Sequence, residues 1–330
     1  MSPVRVAVDA MGGDQAPGEI VAGALEAASA DVQPVLFGRR AEVSPLAGGL
    51  QVVHAPDVVE MDEKPSDAAR DKRSSSMFAA CRAVAEGEAE AVVSAGNTGA
   101  MLAAGLLELR RLPDVRRPAI AVVLPALGGP SVLIDSGANA EARPEHLLQF
   151  AHMGAVFAEE ILELSRPEVV LLSIGEEPEK GTRLVREAHR LLAESGLNFR
   201  GNVESRDLLA HAADVVVCDG FTGNVALKLM EGTIKSTFRA LREEIAASLP
   251  AKLGGLLIRP AARGVRRRLD PDTYGGAYLL GLRGLVVIAH GNSSRTAIAN
   301  AITLAARGVR GRVVDRVAER LGEGVAAPQR

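Results

Sequence analysis

The stretch AVVSAGNTGA, residues 91–100, contains the pattern on which the fold of this 330-residue chain depends. Its first four residues read as a short buried strand, and its middle is a loop rich in glycine and asparagine. It runs directly into the helical pattern of residues 101–109. A strand that passes through a glycine-rich turn into a helix is the repeating unit of α/β proteins with a parallel sheet.

The same succession recurs along the whole chain. Apolar runs of strand length occupy residues 4–8, 34–37, 51–54, 91–94, 120–124, 132–134, 169–174, 215–218 and 285–288. Helical patterns lie between several of them, at residues 20–28, 144–164, 182–194 and 224–247. The alternation predicts an α/β fold with a mostly parallel sheet. No break in composition divides the chain, so we expect a single domain over residues 1–330.

Composition excludes several classes of protein. The net charge of −3 argues against a nucleic-acid-binding protein. Cys81 and Cys218 are too few for a disulfide framework and lack the spacing of a zinc site. No leader pattern precedes the first predicted strand, and no apolar run reaches the roughly 18 residues of a spanning helix. We therefore expect a cytoplasmic protein without a structural metal.

Five loops at predicted strand ends concentrate glycine, asparagine and aspartate. They are residues 9–14, 94–100, 135–139, 219–224 and 290–294. Ligands of open α/β sheets bind at the carboxyl ends of strands, where glycine admits close approach and helix N-termini favour anions. One such loop alone is more often a tight turn with a capping side chain. Five together predict a phosphate-bearing or carboxylate ligand in a broad cleft.

Common catalytic signatures are missing. The chain has neither GxGxxG nor GxSxG, and residues 175–182 resemble a phosphate-binding loop with lysine and glycine in the wrong order. Lys180 still falls in a strand-to-helix turn, where its ammonium group either reaches a phosphate or is simply solvated. Both cysteines are expected to be packing residues, and His290 is a candidate acid or base. A bound anion that acts as the nucleophile would need no nucleophile from the protein.

Several long motifs occur in a characteristic order. They are DAMGGDQAP (9–17), KPS (64–66), RDK (70–72), SSSM (74–77), SAGNTGA (94–100), DSGAN (135–139), PEHLLQFAHMG (144–154), KG (180–181), NFRGNVE (198–204), CDGFTGNVALKLMEG (218–232), YGGA (274–277) and HG (290–291). In this order they closely resemble the PlsX phosphate acyltransferases over nearly the whole chain. Thr182 and Tyr278 depart from the residues common in that family, without touching the predicted phosphate loops.

The resemblance implies a homodimeric, metal-free enzyme without a cofactor. Such enzymes reversibly convert acyl-[acyl carrier protein] and inorganic phosphate into acyl phosphate, which a membrane acyltransferase passes to glycerol 3-phosphate. It also implies a Rossmann-like α/β/α sandwich related to phosphotransacetylase and to isocitrate and isopropylmalate dehydrogenases. Two alternatives stay open: a phosphotransacetylase that acts on short acyl-CoA, and a non-catalytic, membrane-associated scaffold.

The family match and the loop pattern together nominate site residues. We predict that phosphate or substrate is bound by Asp9, Gly12, Gly13, Gly96, Asn97, Thr98, Gly99, Asp135, Asn139 and Lys228. The candidate catalytic residues are Lys180, Asn224 and His290. Lys180 or Lys228 would supply charge to phosphate, and Asn224 and His290 would donate hydrogen bonds to the oxyanion of a tetrahedral intermediate.

Residues 245–269 break the strand–helix rhythm. The segment is rich in leucine and arginine, and it contains no acid between Glu244 and Asp270. We predict a protruding helical hairpin that touches the inner face of the cell membrane through Leu253, Leu256, Leu257 and Ile258. Two other interpretations compete with this one. The leucines would form a dimer core with the arginines solvated, or the arginines would dock an acidic carrier protein.

Overall fold

The computed structural model describes residues 2–269 and 275–322, without the side chains of Arg266 and Arg267. Tyr274, which belongs to one of the motifs above, lies outside the described residues. Within them, the strands are β1 Val4–Asp9, β2 Val32–Gly38, β3 Gln51–His54, β4 Ala91–Ser94, β5 Ala119–Ala126, β6 Gly129–Ile134, β7 Glu168–Ser173, β8 Asn198–Glu204, β9 Val215–Val217, β10 Ala277–Leu280 and β11 Leu285–Ile288.

Helices connect and cover these strands. They are α1 Gly18–Ala27, α2 Arg40–Val43, α3 Pro65–Asp71, α4 Ser76–Ala85, α5 Thr98–Ala104, α6 Pro144–Ile161, α7 Arg183–Ala193, α8 Gly220–Ala246, α9 Leu249–Arg268, α10 Arg295–Arg310 and α11 Val313–Gly322. A π-helical turn, Gly105–Leu109, extends α5, and a 3-10 turn, Ser205–Ala210, follows β8. No helix in the described ranges is long and apolar enough to cross a membrane.

The strands form one sheet in the order β3-β2-β1-β4-β11-β10-β5-β6-β9-β7-β8. Neighbouring strands are parallel, with three exceptions. β10 is antiparallel to both β11 and β5, and β5 is antiparallel to β6. The strands at one end of the sheet, β6, β9, β7 and β8, therefore run opposite to those at the other end, β3, β2, β1, β4 and β11. Ala277 of β10 pairs with both Ile288 and Val122, and Val122 pairs with Leu133. The ends of β11 and β6 thus lie at the same level, and the loops after them approach the central strands from opposite directions.

The core follows the alternation of side chains along the strands. One face carries a continuous apolar cluster, in which Val8 and Ile134 pack beneath α1, α6 and α10. The other face carries two separate clusters, one around Phe78 below α4 and α5 and one around Leu227 of α8. This second face is therefore open between its two clusters, above β10 and β5, and that gap holds the candidate site.

The predicted mostly parallel α/β sheet with flanking helices is confirmed, and all nine predicted strands are present. Two strands were not predicted. β8 contains Gly201 and polar residues because it lies at the sheet edge, and β10 is only four residues long. Residues 219–224 are less of a loop than expected, because Asp219 caps α8 and the helix begins at Gly220.

The segment 245–269 has a different structure from the predicted hairpin. It contains a single long helix, α9, and the hairpin is formed by the end of α8, a short turn and α9. This hairpin is longer than the predicted one. Its first helix, α8, begins at the cavity described below. Leu253, Leu256 and Leu257 are exposed by 66%, 62% and 84% of their surface.

Candidate active site

A cavity of about 290 Å³ occupies the gap between the two apolar clusters. Its polar lining comes from Thr98, Ser136, Asn224, Lys228, His290 and Ser293. Its apolar lining comes from Met61, Leu102, Ile120, Val122, Leu227 and Ile288. A site that combines converging polar groups with apolar walls is the usual form of a small-molecule pocket. Four of the five predicted loops contribute residues to its wall, and the fifth, residues 9–14, packs behind that wall.

One face of α8 carries three functional groups, of which Asn224 and Lys228 line this cavity. Asn224, Lys228 and Glu231 are spaced at i, i+4 and i+7, which places them along one side of a helix. Asn224 Nδ2 donates to the carbonyl oxygen of Ser136 at 3.2 Å. Lys228 Nζ donates to Glu231 Oε2 at 3.2 Å. The structure therefore brings together Asn224, Lys228 and His290, three of the residues that the sequence nominates for the site.

Glu231 is the residue that sequence reasoning missed. Only 9% of its surface is exposed, and its Oε1 lies 3.4 Å from Nε2 of His290. Burial alone would raise the pKa of Glu231, but contacts with His290 and Lys228 outweigh it and hold the pKa at about 2. The carboxylate is therefore charged at neutral pH. Its helical spacing from Lys228 was the signal in the sequence that could have found it.

The loop 135–139 is organised by Asp135 and Asn139, which do not line the cavity. Asp135 Oδ1 accepts from the backbone N–H groups of Ile120, Gly137 and Ala138 at 3.0, 3.1 and 2.9 Å. Its Oδ2 accepts the backbone and side-chain N–H groups of Asn139, both at 2.8 Å. Burial raises the pKa of Asp135. Both residues were predicted to bind substrate, and the structure instead gives them the role of shaping the wall at Ser136–Ala138.

Asp9 likewise supports the site from behind. It is buried, its Oδ2 accepts from the Ser94 hydroxyl at 2.7 Å, and burial raises the pKa of its carboxyl group. A Cβ atom at Gly12 would collide with the Asp9 carboxylate, and one at Gly13, where φ is +107°, would lie 3.0 Å from the Gly291 carbonyl oxygen. These predicted binding residues instead let three loops pack closely.

The loop 94–100 divides into lining and supporting residues. Gly96, Thr98 and Gly99, which the sequence nominates for phosphate or substrate binding, line the cavity. Asn97 does not line it, because its Oδ1 accepts the Ala100 N–H at 3.0 Å and caps α5. Its Nδ2 donates to the carbonyl oxygens of residues 61 and 63, at 2.7 and 3.2 Å. Asn97 therefore ties the chain segment that carries Met61 to the start of α5.

Lys180 lies apart from these groups. It follows β7, which is separated from β6 by β9, and its side chain is exposed. It is not among the described residues that form the cavity wall. Charge in the wall comes from Lys228 instead, whose side chain is 55% exposed.

Other chemistries find little support in the described part of the chain. No three histidine, cysteine, aspartate or glutamate side chains there are grouped so that they could hold a metal ion. Cys81 and Cys218 are buried, and burial raises the pKa of both thiols. Neither is therefore a thiolate nucleophile at neutral pH.

Comparison with known proteins gives the family. The sequence model of a family described as "Fatty acid synthesis protein" matches residues 4–316. The phosphate acyltransferase of Heliobacterium modesticaldum is 48% identical over 96% of this chain and 98% of its own length. That of Thermobifida fusca is 47% identical over 96% of this chain and 91% of its own. The chain belongs to this family. The resemblance to PlsX phosphate acyltransferases is thereby confirmed, and with it the prediction that the chain is an acyltransferase.

Solved structures agree on the fold. A phosphotransacetylase from Streptococcus pyogenes superimposes with a TM-score of 0.63 at 16% identity, covering 93% of this chain and 94% of the other. A branched-chain phosphotransacylase from Enterococcus faecalis gives 0.58 at 19%, covering 93% and 99%. A 4-hydroxythreonine-4-phosphate dehydrogenase from Klebsiella pneumoniae gives 0.54 at 14%, covering 92% and 98%. The expected Rossmann-like relation to phosphotransacetylases is confirmed at the level of fold.

Proposed function

We propose that this enzyme reversibly transfers a fatty-acyl group from acyl-[acyl carrier protein] to inorganic phosphate, forming acyl phosphate for phospholipid synthesis. The observation that carries the proposal is the composition of one cavity. Lys228, His290 and Asn224 provide a cation and hydrogen-bond donors for an anion, beside apolar walls suited to an acyl group. The relatives named phosphate acyltransferase, similar over nearly their whole length, support the same chemistry.

In this reaction a phosphate oxygen attacks the thioester carbonyl carbon, and the carbon–sulfur bond then breaks. Holding phosphate against the thioester is mainly a matter of position, and the cation of Lys228 serves it. The N-terminus of α10, where Ser293 and Ala297 line the cavity, adds a partial positive charge. Asn224 and His290 are placed to donate to the oxyanion of the tetrahedral intermediate. The departing thiol has a pKa near 8.5, so it needs little acid assistance.

Lys180 stays a second candidate for the phosphate charge. Lys180 is exposed and does not line the cavity, whereas Lys228 does. Lys228 is therefore the better-supported choice. Kinetics of Lys180→Ala with phosphate varied would separate the two lysines. A raised KM for phosphate would mean that the turn at Lys180 reaches the anion during catalysis.

The nature of the acyl donor is tested by comparing thioesters. Long-chain acyl-[acyl carrier protein], acetyl-CoA and, as a redox control, NAD are offered with and without phosphate. Phosphate-dependent cleavage of the carrier thioester that exceeds cleavage of acetyl-CoA would support the proposal. Preference for acetyl-CoA would favour a phosphotransacetylase, and absence of cleavage with either donor would favour a non-catalytic scaffold.

The hairpin of α8 and α9 supports a second proposal, that the enzyme is peripherally bound to the inner face of the cell membrane. Exposed leucines on α9 lie beside a groove of about 830 Å³ between the two helices, lined in part by Lys235, Arg239, Arg242, Arg259 and Arg263. This groove is larger than the cavity, and its charged lining in the described residues is basic. Apolar surface beside basic charge suits anionic lipid. We also propose a cytoplasmic homodimer that passes acyl phosphate to a membrane glycerol-3-phosphate acyltransferase.

A further inference from the structure

Glu231 is a buried acid for which the proposed reaction has so far given no role. It lies on α8 three residues beyond Lys228 and faces His290, which follows β11. Its Oε2 accepts from Lys228, whereas its Oε1 makes no hydrogen bond within the described residues and lies 3.4 Å from His290 Nε2. Leaving a buried carboxylate oxygen without a partner costs free energy. Its approach to the imidazole is therefore the feature to be explained.

The contact determines which nitrogen of His290 is free. Nε2 faces Glu231, so Nδ1 is the nitrogen left for a ligand in the cavity that His290 lines. An ionised carboxylate can only accept a hydrogen bond, which requires a hydrogen on Nε2. A ring that carries hydrogens on both nitrogens donates from Nδ1 as well, on the side of the imidazole away from Glu231.

We propose that Glu231 is a positioning residue that holds the His290 ring with Nε2–H toward α8 and Nδ1–H toward the reacting carbonyl. The inference rests on the proposed function of the same cavity. As the phosphate oxygen bonds to the carbonyl carbon, the carbonyl oxygen becomes an oxyanion that accepts from Nδ1–H. When the intermediate collapses, the carbon–sulfur bond breaks, and the proton that phosphate gives up goes to the thiolate sulfur. Glu231 stays ionised throughout and touches no reacting atom.

Other charged groups also approach this corner. Lys228 shares the Glu231 carboxylate, and Asp14 lies near Gly291, the residue after His290. Lys228 limits how far Glu231 can move, so that loss of the lysine weakens the placement of the ring. Asp14 belongs to the first loop and is linked to this one through its backbone N–H, which donates to the Gly291 carbonyl oxygen at 2.7 Å. If Glu231 acts by positioning His290, its replacement should affect catalysis through His290 and not through Lys228 or Asp14.

The test is a double-mutant cycle on kcat, with phosphate and acyl-carrier thioester varied separately. His290→Gln should lower kcat by about 100-fold, as expected for a positioned donor. Glu231→Gln keeps size but removes charge, and it should lower kcat by about tenfold or more with little change in either KM. The double variant should be no slower than His290→Gln alone, because residues that act as a unit are not additive. Glu231→Asp, which keeps the charge, should recover part of the lost kcat.

Glu108→Gln is the matched control. Glu108 is a similarly buried acid, with 10% of its side chain exposed, and it pairs with Arg73 and Arg82 away from the cavity. Its kinetics should equal those of the wild type. Additive losses in the double variant, or an unchanged kcat in Glu231→Gln, would overturn the inference while wild-type activity leaves the proposed function standing. If the wild type itself cleaves no thioester with phosphate, the proposed function fails instead. Circular dichroism and Tm of each variant verify that the fold is retained.

Discussion

Replacing Lys228 with methionine removes the charge that we assign to phosphate and shortens the unbranched side chain by one atom. Two unit charges about 4 Å apart interact by roughly 4 kcal/mol at an effective dielectric constant near 20. The Lys228 side chain is 55% exposed, so solvent screening reduces this strongly, to about 1–1.5 kcal/mol. That loss corresponds to about a tenfold rise in KM for phosphate. KM for the acyl carrier should change little.

The assay varies phosphate at saturating acyl-carrier thioester and then reverses the roles of the two substrates. Lys235→Met is the matched control, since Lys235 is another exposed lysine of α8, seven residues farther along and outside the cavity wall. Its KM for phosphate should equal that of the wild type. An unchanged phosphate KM in Lys228→Met, or equal rises in both variants, would refute the assignment of Lys228 to phosphate.

Three further outcomes are expected. The double variant Leu253→Glu/Leu257→Glu should no longer co-sediment with anionic vesicles. Leu107→Glu, which changes another exposed leucine, should still do so. Equal binding by the wild type and both variants would refute the membrane proposal. Asn97→Ala should lower the free energy of unfolding by about 2 kcal/mol, from one helix cap and two lost bonds, and an unchanged urea midpoint would contradict this. The pKa of Glu231 is lowered from 4.5 to about 2, so its carboxylate stabilises the fold above about pH 4.5 and loses this effect toward pH 2. Glu231→Gln should therefore flatten that part of the acid-unfolding curve. An unaltered curve would contradict this prediction.

The sequence predicted the sheet well because its signals are local. The buried strands that were predicted are apolar runs, and several of them end in a glycine-rich turn before a helix, as at residues 91–100. β8 escaped prediction because Gly201 and polar residues interrupt its apolar pattern, and β10 because its four residues lie between glycines. The reversal of direction at β10 and β5 was equally hidden, since it depends on strand pairing between distant segments.

The candidate site was predicted more coarsely than the fold. Composition showed which loops gather around the ligand but not which side chains face it. Asp9, Asp135 and Asn97 are of residue types that often bind ligands. Their polar atoms are already hydrogen-bonded within the protein, to a hydroxyl group, a backbone N–H group and a carbonyl oxygen, respectively. Glu231 shows the opposite case. Its role depends on the contact of α8 with the loop after β11, which joins residues far apart in the chain.

The most direct test of the central claim identifies the products of a single mixture. Purified enzyme is incubated with long-chain acyl-[acyl carrier protein] and inorganic phosphate, without any membrane or second enzyme. Phosphorus NMR measures the acyl phosphate formed, and a thiol reagent measures the free carrier released. We predict one acyl phosphate for each thiol released, and no thiol without phosphate. Thiol release without acyl phosphate, or at a rate independent of phosphate, would contradict the account.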